Sequence, residues 1–129
     1  MKRNRGILAV VMATLLVGAF AAPAAAKSGD VVRTGSCSSS AVWKLKGGAR
    51  DGGIEVEFQV DTTRIGRTWR VKLSDNGTTV FSGWRKTQAP SGSFTVRRII
   101  ANQPGTDRIV AYARSVATGQ TCSAVIRIG

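Results

Sequence analysis

Apolar and polar side chains alternate one by one along most of this chain. Ile54, Val56, Phe58 and Val60 are separated by Glu55, Glu57 and Gln59, the period-two pattern of a half-buried strand. Trp69, Val71 and Leu73 alternate with Arg70, Lys72 and Ser74 in the same way, and Phe94 and Val96 with Thr95 and Arg97. Further on, Ile109, Ala111 and Ala113 alternate with Val110, Tyr112 and Arg114, and Cys122, Ala124, Ile126 and Ile128 with Ser123, Val125 and Arg127. Turn signals punctuate these runs at Gly47-Gly48, Asp51-Gly52-Gly53, Asn76-Gly77, Pro90-Ser91-Gly92, Pro104-Gly105 and Thr118-Gly119. The pattern predicts seven strands, over 41–47, 53–60, 67–75, 78–84, 92–99, 107–115 and 120–128. Nothing after residue 26 offers an apolar stripe at helical spacing.

Seven short strands in about 100 residues predict an all-β fold, a seven-stranded immunoglobulin-like (Greek-key) β-sandwich. In that topology the first, second and fifth strands share one sheet, and the third, sixth and seventh share the other. Asn76-Gly77 predicts a type I′ turn between the third and fourth strands, and its two-residue register sets Phe81 opposite Lys72, facing outward. Trp69 sits on the third strand, where such sandwiches bury a large aromatic. Pairing the first two strands so that Trp43 faces Phe58 and Leu45 faces Val56 also sets Lys44 against Glu57 and Lys46 against Glu55. Opposite charges directly across a strand pair each help by roughly 0.2–1 kcal/mol.

The N-terminus follows a different pattern. Lys2, Arg3 and Arg5 precede an apolar run from Ile7 to Ala22, and Ala24-Ala25-Ala26 supplies small residues for a signal peptidase. We expect a secretory signal over 1–26, cleaved after Ala26, a polar lead over 27–40, and the sandwich domain over 41–129. The run is short and Ala-rich for a membrane span, and without an amphipathic helix no stable membrane insertion is expected. An extracellular address makes a disulfide between the two cysteines, Cys37 and Cys122, the expected pairing. It would close a loop of about 85 residues, worth roughly 4.6 kcal/mol in the chain-entropy model. In the expected topology it ties the first strand to the last, which run parallel and adjacent. Asn76-Gly77-Thr78 is also a glycosylation sequon, although the hairpin turn accounts for the same residues.

Composition narrows the chemistry. The chain carries a net charge of +12, or +9 once the three basic residues of the signal are removed. The absence of histidine removes Ser-His and Cys-His triads and imidazole metal sites, and two bonded cysteines cannot hold zinc. Glu55 and Glu57 share one strand face, as an acid/base couple requires, but the expected register neutralises both with lysines. No phosphate-binding or calcium loop pattern occurs. The sequence therefore points to no enzyme, no cofactor and no metal. The positive balance selects anionic partners, foremost an extracellular polymer of the cell wall or a polysaccharide. Nucleic acid follows behind, because an exported protein meets wall polymers first.

Assigned to faces, the basic residues separate. The sheet of the first, second and fifth strands presents Lys44, Lys46, Glu55, Glu57 and Arg97, a largely compensated surface. The opposite sheet presents Arg70, Lys72, Arg108, Arg114 and Arg127 with Tyr112 and Phe81, and no acidic residue. Arginine and lysine there would contact phosphate or carboxylate while the aromatics stack on rings; the same pattern also serves plain solubility. A second candidate is the loop end carrying Arg64, Arg67, Arg85 and Lys86, opposed only by Asp61. Loops on a rigid sandwich are a common binding solution, and this end would suit an extracellular protein partner, as in an inhibitor of a secreted hydrolase.

Trp69, Asn76-Gly77, Gly92-Ser93-Phe94, Gly105-Thr106-Asp107 and Thr118-Gly119-Gln120-Thr121-Cys122 together resemble small secreted proteins of high-GC Gram-positive bacteria. The resemblance implies an immunoglobulin-like fold and no particular activity. The neocarzinostatin-type chromoproteins are similar in architecture but carry two disulfides and an acidic apolar cleft, and the secreted subtilisin inhibitors brace a reactive loop with a second disulfide. This chain departs from both.

Overall fold

The computed structural model describes residues 29–129; the expected signal, 1–26, lies outside the described residues. The described chain is all-β, with eight strands: β1 (Val31–Ser36), β2 (Val42–Arg50), β3 (Gly53–Asp61), β4 (Thr68–Asp75), β5 (Thr78–Lys86), β6 (Ser93–Ala101), β7 (Asp107–Ser115) and β8 (Thr121–Ile128). They form two antiparallel four-stranded sheets, ordered β1-β2-β3-β6 and β5-β4-β7-β8. Leu45, Ile54, Val56, Phe58, Val60 and Val96 of the first sheet share one buried cluster with Trp69, Val71, Leu73, Ile109, Ile126 and Ile128 of the second. Full burial of a Val, Leu, Ile or Phe side chain stabilises by about 1.5–3 kcal/mol, so the alternation in the sequence is the main force holding the sheets face to face.

The seven expected strands correspond to β2–β8, and the eighth, β1, lies in the segment expected as a polar lead. Val31 to Ser36 form an edge strand paired only with β2, and most of its side chains are exposed. Only Val31 of this strand packs against the core, and one buried apolar side chain leaves no alternation to read. Gly35 permits its close fit: a Cβ there would lie 2.5 Å from the Trp43 ring.

Two registers differ from expectation. Asp51 and Gly52 form the β2–β3 turn at φ 47° and 78°, consistent with a two-residue type I′ connection. It closes on Arg50 opposite Gly53, so Leu45 faces Phe58, Trp43 faces Val60, Lys46 faces Glu57 and Lys44 faces Gln59. A two-residue shift keeps each side chain on its expected face but changes every cross-strand charge pair. Gly47 and Gly48 belong to β2 rather than to a turn, and a Cβ on Gly47 would meet the Ile128 side chain at 2.5 Å.

The second difference has larger effects. Asn76 and Gly77 turn at φ 47° and 85°, as expected, and pair Asp75 with Thr78 and Ser74 with Thr79. A bulge between Leu73 and Ser74 then skips Val80 and sets Leu73 opposite Phe81. One extra residue inverts the facing of everything beyond it. Phe81 therefore points inward, packed against the core, and Trp84 points outward with 56% of its surface exposed.

Cys37, just beyond β1, is disulfide-bonded to Cys122 of β8 across a sequence separation of 85. Hydrogen bonds reinforce the junction: Ser38 N donates to Thr121 O at 2.8 Å, Thr121 N to Ser38 Oγ at 2.9 Å, and Ala41 N to Gln120 Oε1 at 2.8 Å. Because β2 and β8 belong to different sheets, the bond ties sheet to sheet rather than joining adjacent parallel strands. Replacing both cysteines by serine is expected to lower the unfolding free energy by about 2–5 kcal/mol, measured by urea titration. A loss below about 1 kcal/mol would show that the sheets align without the cross-link.

Candidate functional site

The outer face of the β5-β4-β7-β8 sheet is built by alternation alone. Val71 and Leu73 of β4, Ala111 and Ala113 of β7, and Ala124 and Ile126 of β8 turn inward, so the intervening residues turn out. Cross-strand registers arrange those residues in rows. Trp84, Arg70, Arg114 and Thr121 make one row, and Ser82, Lys72, Tyr112 and Ser123 the next. A third contains Ser74, Val110 and Val125, and at the far end Arg108 lies opposite Arg127. Arg70, Lys72, Arg108, Tyr112, Arg114 and Arg127 are all exposed, and this outer face carries no carboxylate.

Arg70 and Arg114 are therefore direct cross-strand neighbours, and so are Arg108 and Arg127. Like charges directly opposite one another destabilise a strand pair, and none of these four guanidiniums has a salt bridge among the described residues. Six residues along β7 separate the two pairs, about 20 Å at strand spacing. The Arg70 guanidinium carbon lies 5.3 Å from the centroid of the Trp84 ring, within cation–π range. Arg70, Trp84 and Arg114 line a shallow groove of about 390 Å³ with Ser115, Val116, Thr118 and Gly119.

The other sheet is compensated, though by different partners from those expected. Arg97 Nη2 contacts Glu55 at 3.2 Å and Glu57 at 3.6 Å. Asp30 receives Arg50 at 2.9 Å and Lys46 at 3.4 Å. The hydrogen bond from Arg50, aided by Lys46, holds the Asp30 carboxyl below the usual aspartate range, and Asp30 in turn raises the Arg50 guanidinium. Glu55 and Glu57 are thus held by one arginine of β6, not by lysines of β2.

At one end of the sheets, the 38–40, 62–67 and 115–120 segments enclose a cleft of about 690 Å³. Arg64 and Arg67 stand on its wall and Trp69 lines it. The 62–67 loop is fixed from behind: Thr62 N donates to Gly92 O at 3.0 Å, Gly66 N to Thr87 O at 2.8 Å and Thr87 N to Arg67 O at 2.9 Å. Thr63 sits at φ 62°, an outlier for a β-branched residue. The cleft and the sheet-face groove share Ser115, Thr118 and Gly119, so the β7–β8 turn is the ridge between them.

The residues expected at each site divide as follows. Of the sheet-face set, all but Phe81 share the outer face. Phe81 instead lies between two guanidiniums, Arg85 at 4.8 Å and Arg98 at 4.5 Å from its centroid, because the bulge turned it inward. Trp84 takes the outward aromatic position, unforeseen from the sequence. The available signal was Gly83, since a glycine inside a strand often marks a bulge or a close approach; a Cβ there would meet the Phe81 ring at 3.0 Å. Of the loop set, Arg64 and Arg67 share the cleft and Lys86 packs near Gly66, while Arg85 is drawn away to Phe81. Asp61 accepts from Thr63 N at 3.3 Å and makes no salt bridge with any of the four.

Among the described residues no three His, Cys, Asp or Glu side chains converge as a metal site. The arrangement offers donors and aromatic surface to an anion. The chain matches no protein-family model, and no curated protein sequence matches it.

Gly92 is the tightest point behind the cleft. It is buried at φ 76°, and a Cβ would fall 2.4 Å from Arg64 N. Gly92→Ala is expected to cost about 1–3 kcal/mol in urea unfolding. Gly105→Ala, at φ 74° with nothing within 4 Å, should cost about 1 kcal/mol or less. Equal losses would remove Gly92 from any role in holding the Arg64 loop.

Proposed function

We propose that this protein is a secreted, non-catalytic binding domain with an immunoglobulin-like Greek-key fold, and that it holds an extended extracellular polyanion on the outer face of the β5-β4-β7-β8 sheet. The observation that carries this reading is the pair of uncompensated arginine couples, Arg70–Arg114 and Arg108–Arg127, on a face without a carboxylate. Such juxtapositions cost stability in the free protein, and an anion bound between each couple removes the repulsion. Two couples about 20 Å apart along one strand, with Lys72 and Tyr112 between them, suit a chain of repeating charges better than a single ion. Trp84, backed by Arg70, adds a stacking surface at one end, which favours a polymer containing rings, such as an acidic polysaccharide or wall polymer.

This fold reading is supported by β2–β8, in which β2, β3 and β6 share one sheet and β4, β7 and β8 the other, the grouping of the first, second and fifth against the third, sixth and seventh strands of such sandwiches. Strand β5 joins the second sheet beside β4, and β1 is added at one edge of the first. Export is supported by the basic, apolar and small-residue succession over 1–26 and by the Cys37–Cys122 disulfide, a bond that persists in oxidising compartments.

Retention on heparin, and on isolated cell wall, is expected to fall steeply with rising salt. Arg70→Glu with Arg114→Glu should weaken it by about tenfold or more, and Trp84→Ala by about fivefold or more. Lys44→Glu with Lys46→Glu, on the other sheet, should have the smaller effect. Equal losses from the two charge reversals would reject the assignment to this face.

A further inference from the structure

A residue that lines the end cleft carries a buried donor without an acceptor. Trp69 is only 2% exposed and packs its ring against Phe94 at 6.1 Å, yet its Nε1 has no hydrogen-bond partner. Buried indole N–H groups ordinarily find one. Elsewhere on the cleft lining, Arg64 and Arg67 are exposed and make no salt bridge, and the Ser39 and Ser40 hydroxyls make no hydrogen bond among the described residues. No carboxylate lines the cleft. Its volume of about 690 Å³ falls within the roughly 300–1,000 Å³ of small-molecule sites.

From this combination we infer that the cleft is a second binding site, for a small acidic sugar. Its oxyanion, carboxylate or phosphate, lies between Arg64 and Arg67 and accepts a hydrogen bond from Trp69 Nε1, while ring hydroxyls meet Ser39 and Ser40. Guanidinium groups supply charge-assisted hydrogen bonds to such an anion, and the indole N–H is a donor with no acceptor role, so the site selects acceptors. The indole nitrogen is buried, so a ligand reaches it only when a lining side chain moves. In this binding mode Arg64 and Arg67, both exposed on the cleft lining, move onto the ligand. The site does not depend on the sheet face, because its carrying observation is the orphaned indole.

Three tryptophans, Trp43, Trp69 and Trp84, give three indole signals in a proton–nitrogen NMR spectrum, assigned through Trp43→Phe and Trp84→Phe. Glucuronate or glucose 6-phosphate should shift the Trp69 signal downfield and saturably, whereas neutral methyl glucoside and inorganic phosphate alone should shift it little at the same concentration. Which acidic sugar binds more tightly identifies the oxyanion. Arg64→Ala with Arg67→Ala should weaken the response by about tenfold or more. Arg33→Ala with Lys44→Ala, which removes the same charge elsewhere, should change it by less than about twofold. No Trp69 shift with either acidic sugar would overturn the inference. An equal shift with methyl glucoside or with phosphate alone would do the same, as would equal losses from the two double variants.

Discussion

Trp69, Val71 and Leu73 lie along the inner side of β4 and are almost wholly withdrawn from water, and the strands beside β4 align to them. On β7 this brings Ala111 and Ala113 inward, small enough to sit beside large neighbours, and leaves Tyr112 and Arg114 no position but the outer surface. The exposed face is therefore the complement of the core, residue by residue. Burial of each large apolar side chain is worth about 1.5–3 kcal/mol, whereas an arginine couple opposes the fold by roughly 0.2–1 kcal/mol. The core wins easily, which is how a stable sheet can carry a self-repelling surface.

Where alternation is strict, the sequence discloses structure directly. Ile54 to Val60, Trp69 to Leu73, Ile109 to Ala113 and Cys122 to Ile128 each have the strand and facing that their period implies. The missing information concerns pairing. Trp43 with Phe58 and Leu45 with Val56 on the core face, and Lys44 and Lys46 with Glu57 and Glu55 outside, admit one attractive register, but the Asp51-Gly52 turn sets a register two residues away. Turn geometry is local and stiff, whereas a surface ion pair contributes little, so the turn prevails. Val31 to Ser36 was illegible for another reason: an exposed edge strand buries too little to impose a pattern.

The candidate site was legible in its charges and not in its aromatic. Arg70, Lys72, Arg108, Arg114 and Arg127 come from strands whose facing is fixed by buried neighbours. Phe81 and Trp84 come from β5, whose facing depends on a single extra residue, Val80. Simple alternation has no term for that insertion. The end cleft was harder still, because it gathers Ser39, Ser40, Arg64, Arg67 and Thr118 from three separate loops, and only the closed fold brings them to one wall.

The two guanidiniums around Phe81 bear on a different problem. β5 and β6 are the outermost strands of their sheets, and such edges have unpaired backbone groups that another chain can join. Arg85 and Arg98 occupy inward-facing positions on those strands, opposite Trp69 and Val56, and close the gap through the Phe81 ring. A strand added there would have to bury their charge, one of the ways natural sheets discourage edge-to-edge growth. The cationic character that crowds guanidiniums onto the outer sheet face thus also makes this edge a poor template for a second copy of the same chain.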